Sequence, residues 1–171
     1  MHSMTVDSEH QSRSALKPLL IQVAASAVVG AIVFVVVQVF ALGVDSTIIS
    51  LLGDRITERG GYPAALSPVI GWGIHLGVSL SYAALFGLLF VVLKRAPIAG
   101  AALTALLGWV TTLITAPAIS VTIALAAREG FPGSLPGLNW TTGLTLWNHV
   151  GFFVVCWGVM ELLRRRAVSR N

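Results

Sequence analysis

Four long apolar stretches, set apart by short polar breaks, organise this chain. They cover about 18–44, 67–93, 97–127 and 139–163. Each exceeds the about 20 apolar residues that a membrane-crossing helix requires. The first carries Gln22, Ser26 and Gln38 as its only clearly polar side chains. The pattern predicts an all-α protein: a four-transmembrane-helix bundle forming one membrane domain over 17–166. A flexible cytoplasmic tail is expected at 1–16 and a short one at 167–171. The first run is too long for a signal-peptide core and has no clear cleavage site before Asp45, so it reads as a retained helix.

Two breaks hold more detail. Between the first two spans, Ile48, Leu51, Leu52 and Ile56 recur at helical spacing among Ser50, Asp54, Arg55 and Glu58. That spacing fits either a short interfacial amphipathic helix, capped by Asp45 or Ser46 and ended by Gly60-Gly61, or a loop packed over the outer mouth of the bundle. In the third span, Pro117 removes one backbone donor and is expected to kink the helix. Thr111, Thr112, Thr115 and Ser120 are at hand to satisfy the freed carbonyl.

Composition agrees with lipid as the solvent. Of 171 residues, 56% are hydrophobic and 11% charged, against roughly 25% charged in soluble domains; mean hydropathy is +0.85. The net charge of +4 reads as membrane topology and not as nucleic-acid binding. With a cytoplasmic N-terminus the inner side holds Arg13, Lys17, Lys94, Arg95, Arg164, Arg165, Arg166 and Arg170; the outer side holds only Arg55, Arg59 and Arg128. This bias predicts both termini inside, in a bacterial-type plasma (inner) membrane. The lone Cys156 excludes an internal disulfide, and no zinc spacing exists.

Ionisable residues are costly in hydrocarbon, which singles out His75 and His149. His75, Ser79, Tyr82 and Phe86 share one face of the second span, with Trp72 a turn earlier. Thr142, Thr145, His149 and Cys156 share a face of the fourth, with Asn148 adjacent. Both spans run in the same direction, and each histidine sits roughly 12–15 Å below the outer boundary at 1.5 Å rise per residue. The pair is therefore expected at one level. Beside the His75 face, Gly73, Gly77 and Ser81 form a small-residue ridge; Gly100, Thr104 and Gly108 form another on the third span. The tight Lys94-Arg95-Ala96 turn suggests that these ridges meet. Trp147 and Trp157 are expected to pack against helices or a bound ring.

Three roles fit the histidines: hydrogen-bonded glue between helices, an axial pair for one haem b, or a quinone, proton, lipid or small-solute site. A protein-only metal site is not expected. Glu161, the only acid in the spans, is placed to pair with Arg165 at i,i+4. No acid lies in the first span, which disfavours a small proton-coupled exporter. No P-loop, nucleophile elbow, HExxH or dinucleotide fingerprint is present, so the sequence gives no ground for expecting an enzyme.

The run His75-Leu-Gly-Val-Ser79 with Ala83, the Ala/Gly-rich third span ending at Pro117, and a fourth-span histidine followed by Glu161 and basic residues resemble the YagU-like family of small bacterial inner-membrane proteins. The first span and outer loop match in layout alone. The resemblance implies a four-helix inner-membrane protein with the histidines as positions of interest, and no catalytic assignment. The leading expectation is an accessory or interaction subunit, packing through glycine-rich faces as a homo-oligomer or in a larger membrane complex. The alternative is a redox or transport component using His75 and His149.

Overall fold

The computed structural model describes the backbone of residues 4–93 and 95–169 and the side chains of 17–93 and 95–169. Expectations resting on Lys94, Arg170 and the side chain of Arg13 lie outside the described residues. Five α-helices follow in order: α1 Met4–Leu42, α2 Ile48–Gly60, α3 Ser67–Val92, α4 Pro97–Ala126 and α5 Leu144–Val168. No strand occurs among the described residues. All but α2 are long and apolar enough to cross a bilayer, which marks a multi-pass integral membrane protein. The helical backbone of α1 reaches back to Met4, through most of the polar segment read as a flexible tail.

Local chemistry sets the boundaries. Pro97 opens α4, where its missing N–H costs nothing, and Ala96 before it is extended. Thr47 caps α2 through its hydroxyl, and Gly61 ends that helix at φ 65°, the left-handed position glycine takes freely. The segment over 48–60 is thus a helix and it also packs over the bundle mouth, lying on α3 and α4. It runs antiparallel to α3, since Gly53 abuts the Ser67 carbonyl while Gly71 abuts that of Ile49.

Pro117 does not interrupt α4. Its missing donor frees the Leu113 carbonyl, and the backbone N–H of Asn139 fills the vacancy at 2.8 Å. The neighbouring threonines expected to do so instead bond within their own turns: Thr111 to Leu107, Thr112 to Gly108 and Thr115 to Thr111. Holding Asn139 there keeps 139–143 irregular, so α5 begins at Leu144, later than the apolar window implied.

Around the bundle α3 packs on α1, α1 on α5 and α5 on α4. The glycines show how closely. A Cβ on Gly30 would stand 2.8 Å from the Phe152 ring; on Gly100, 2.6 Å from Trp157; on Gly108, 3.0 Å from the Val150 Cα. The two small-residue ridges therefore do not meet. Gly100 and Gly108 receive α5, whereas Gly73 and Gly77 have no atom within 4 Å of a would-be Cβ and Ser81 is exposed. α3 and α4 are joined by a turn but touch each other little. Trp157 packs as expected, while Trp147 is 68% exposed and packs on no helix core.

The bundle half nearest the α3–α4 turn is filled by Phe86, Phe90, Phe153, Cys156 and Met160. Phe86 lies 5.9 Å from Phe153 and 5.7 Å from Phe90, ring centre to ring centre. The other half is less full.

Candidate functional site

That less-filled half contains a cavity of about 240 Å³, lined by all four long helices and by α2. His75 enters it from α3 and His149 from α5, each at least nine-tenths buried. The Phe34 ring of α1 rests against both imidazoles, at 5.5 Å from His75 and 5.7 Å from His149 between centroids.

Hydrogen bonding assigns the nitrogens. His75 Nε2 lies 3.2 Å from the Ala31 carbonyl. A carbonyl only accepts, so Nε2 carries the hydrogen and Nδ1 is left as an acceptor. His149 is the mirror case: Nδ1 lies 2.9 Å from the Thr145 carbonyl and donates to it. Thr112 Oγ1 is also 3.3 Å from that nitrogen. Its own hydrogen goes to the Gly108 carbonyl at 2.7 Å, so it accepts a share of the same N–H. Nε2 of His149 is left as an acceptor. Each ring is thus anchored by one nitrogen and keeps the other unpartnered among the described residues. Among the described residues no acid lines the cavity, so neither ring has a carboxylate there to stabilise a positive charge.

Other residues singled out in the sequence divide between inside and outside. Tyr82 and Asn148 line the cavity with the histidines. Asn148 is 6% exposed and its amide makes no hydrogen bond among the described residues. Tyr82 packs its ring 6.1 Å from Phe153. Ser79 is buried on the same face of α3 but does not reach the cavity wall. Trp72 stands edge-on to His75 at 6.0 Å and faces a neighbouring cleft between α1, α2 and α3.

Haem b does not suit this arrangement. An axial pair needs two free nitrogens facing across a macrocycle. Each ring has one free nitrogen, but Phe34 rests against both imidazoles, and a cavity of about 240 Å³ is below the range of about 300–1,000 Å³ of drug-sized sites. Cys156 lies deeper, with Sγ directed at the Ser26 carbonyl at 3.7 Å.

Sequence reasoning missed the contribution of α1. Phe34 lines the cavity, and Gln38 Oε1 accepts from the Ile48 N–H at 2.7 Å, satisfying one of the free donors at the start of α2. This bond ties the roof helix down beside the histidines. The signal was present: Gln22, Ser26, Gly30, Phe34 and Gln38 recur every four residues and mark the inward stripe of an otherwise uniformly apolar helix.

Charges lie away from the cavity. Arg59 and Glu129 pair between the end of α2 and the loop after α4. Arg128 lies 5.4 Å above the Tyr62 ring, whose hydroxyl donates to the Ala126 carbonyl. At the opposite end Glu161 accepts from both Arg164 and Arg165, one partner more than expected. No family model, no curated protein and no solved structure matches this chain.

Proposed function

We propose that this is a membrane-embedded binding protein that takes a small molecule from the bilayer into the cavity between His75 and His149. One observation carries the reading: two deep histidines from different helices face one cavity, each with a nitrogen that no group among the described residues uses. Polar glue alone leaves no reason for a cavity, whereas small-molecule sites are mainly apolar hollows with a few converging polar groups. On this reading the entrance is between α3 and α4, which touch each other little. Val78, Tyr82, Ala118 and Thr122 line the cavity there while remaining half-exposed or exposed. The lysine and arginine bias supports cytoplasmic termini in a bacterial-type plasma membrane, with the cavity in the outer half and α2 at the outer interface. Kinship with the YagU-like family belongs to the same proposal, supported by His75, Ser79 and Ala83 sharing the buried face of α3.

A second reading, an interaction subunit, is favoured by the Gly73–Gly77–Ser81 ridge, which nothing among the described residues covers. The test of the first is mass spectrometry of organic extracts from detergent-purified protein. Wild type is expected to carry a small molecule that Ala118→Phe and Val78→Phe, which fill the cavity from α4 and α3, do not carry. Identical extracts from all three would remove the binding reading.

A further inference from the structure

The reading of the cavity as a binding site says nothing of what enters it; the hydrogen-bond inventory of its wall does. Among the residues lining it none carries a formal charge. A charged ligand would be desolvated there with no counter-charge, at a cost of several kcal/mol. An uncharged ligand is required.

The free ring nitrogens also have a sign. The carbonyl bonds to Ala31 and Thr145 fix the hydrogens on His75 Nε2 and His149 Nδ1. The two unpartnered ring nitrogens are therefore acceptors. Donors line the cavity as well: the amide nitrogens of Asn148 and Gln38 and the hydroxyls of Tyr82, Thr122 and Thr145. Thr115 spends its hydrogen on the Thr111 carbonyl at 2.7 Å, so its hydroxyl also presents an acceptor. Gln38 has its oxygen engaged by Ile48. The two ring nitrogens thus seek a donor; a hydroxyl supplies one and can also accept from the Asn148 amide, which is as deeply buried and lines the same cavity. Around them stand the faces and edges of Phe34, Phe152 and Tyr82, surfaces that a planar ring covers well. The volume of about 240 Å³ lies just below the range of about 300–1,000 Å³ occupied by drug-sized ligands, which suits a single ring with small substituents.

We propose that the cavity selects an uncharged, single-ring aromatic molecule bearing a hydroxyl, of the phenol or hydroquinone type, which donates its hydroxyl hydrogen to Nε2 of His149 or Nδ1 of His75. The proposal rests on the cavity being a binding site and adds the ligand class. It involves binding alone, with no bond made or broken in the ligand.

The test uses ¹⁹F NMR of the full chain in detergent micelles with four probes: 4-fluorophenol, 4-fluorotoluene, 4-fluoroanisole and 4-fluorobenzoate. The methyl ether keeps the oxygen and removes the donor; the toluene replaces the hydroxyl by a methyl group. Ala118→Phe and Val78→Phe define the background from partition into the micelle. 4-Fluorophenol is expected to bind at least tenfold more tightly than the ether or the toluene, and 4-fluorobenzoate to show background signal alone. His149→Phe and His75→Phe keep a ring and delete the acceptor; at least one is expected to bring 4-fluorophenol down to the level of 4-fluorotoluene without changing the latter. If the ether or the toluene binds as tightly as the phenol, or if both histidine variants retain the preference, the ligand class is wrong while the site stands. Stronger binding of the benzoate would likewise overturn the class. If no probe exceeds the background of the filled variants, the class and the site fall together.

Discussion

Replacing Gly108 by alanine, beside the same change at Gly77, tests the helix arrangement that creates the site. Both glycines lie inside long apolar helices, so the helix-propensity gain of up to about 1 kcal/mol cancels between them. What differs is the surroundings. At Gly108 the new methyl would lie 3.0 Å from the Val150 Cα and 3.1 Å from its backbone nitrogen. Carbon atoms pack best at about 3.5–4.0 Å, and a backbone atom has no rotamer by which to yield. α5 must then retreat from α4 by about 0.5–1 Å. Overpacking of this kind costs about 1–3 kcal/mol. At Gly77 the methyl meets nothing within 4 Å, and no cost arises. The two variants should therefore differ by roughly 5- to 150-fold in folding equilibrium, with Gly108→Ala the weaker. Reversible unfolding by SDS in mixed micelles reads this difference. Equal stabilities would refute the α4–α5 seam. A loss at Gly77→Ala that deepens with protein concentration would instead place a second copy of the chain on the Gly73–Gly77–Ser81 ridge.

Phe86 is fully buried at the centre of the aromatic core, so Phe86→Ala should lower stability by about 3–5 kcal/mol in the same assay; a loss under 1 kcal/mol would mean the core is not packed as described. Arg59→Ala removes an ion pair whose side chains are 44% and 37% exposed, and should leave stability nearly unchanged, with any loss smaller in high salt; a loss as large as that of Phe86→Ala would show that α2 is held by this pair rather than by Ile49, Leu52 and Ile56. Cysteines introduced at Ser134 and Ser169, in a Cys156→Ala background, should react with a membrane-impermeant maleimide from opposite sides of intact cells. Ser134 should label without permeabilisation and Ser169 only after it; the reverse result would invert the topology.

Much of this architecture is legible in the apolar runs, because length against bilayer thickness is a strong constraint. The α3 and α4 boundaries could be read from Ser67-Pro68 and Pro97 directly. The start of α5 could not. Leu138 and Trp140 keep hydropathy high there, while the structure is decided by a distant event, the carbonyl that Pro117 frees on Leu113 and that the Asn139 N–H occupies. Facing was harder still. Lipid accepts small apolar residues as readily as a neighbouring helix does, so Gly73 and Gly77 carry no mark to distinguish them from Gly100 and Gly108. Chain adjacency through a short turn made α3 and α4 look like partners; α1 and α5 compete better, since Gly30, Gly100 and Gly108 each admit a bulky side chain or backbone from across the interface. The shared level of the histidines was readable from helical rise, but their common cavity depended on Phe34 and Gln38 of a helix with no obvious chemistry.

The location of the cavity follows from where side-chain volume runs out. On α4 the half toward the α3–α4 turn contributes Leu103 and Leu107 to the core. The half toward α2 contributes Thr115, Ala118 and Thr122, short side chains that cannot reach across the bundle, beside Ile119, which packs toward α2. On α5 the order is similar: Phe153, Cys156 and Met160 fill the core, while Thr145, Asn148 and His149 border the cavity. Phe152 belongs to both, packed 5.3 Å from Phe153 and forming the floor. A floor of Phe152, backed by Phe153 and Phe86, closes the path along the bundle axis. A solute conductor would need that aromatic stack to part, at the loss of several ring contacts each worth about 0.5–1.5 kcal/mol. The opposite end is roofed by α2, tied by the Gln38–Ile48 bond. On the proposed reading, the way in is then the gap between α3 and α4, which touch each other little. The geometry therefore favours a pocket filled sideways from lipid over a pore that runs from one face of the membrane to the other.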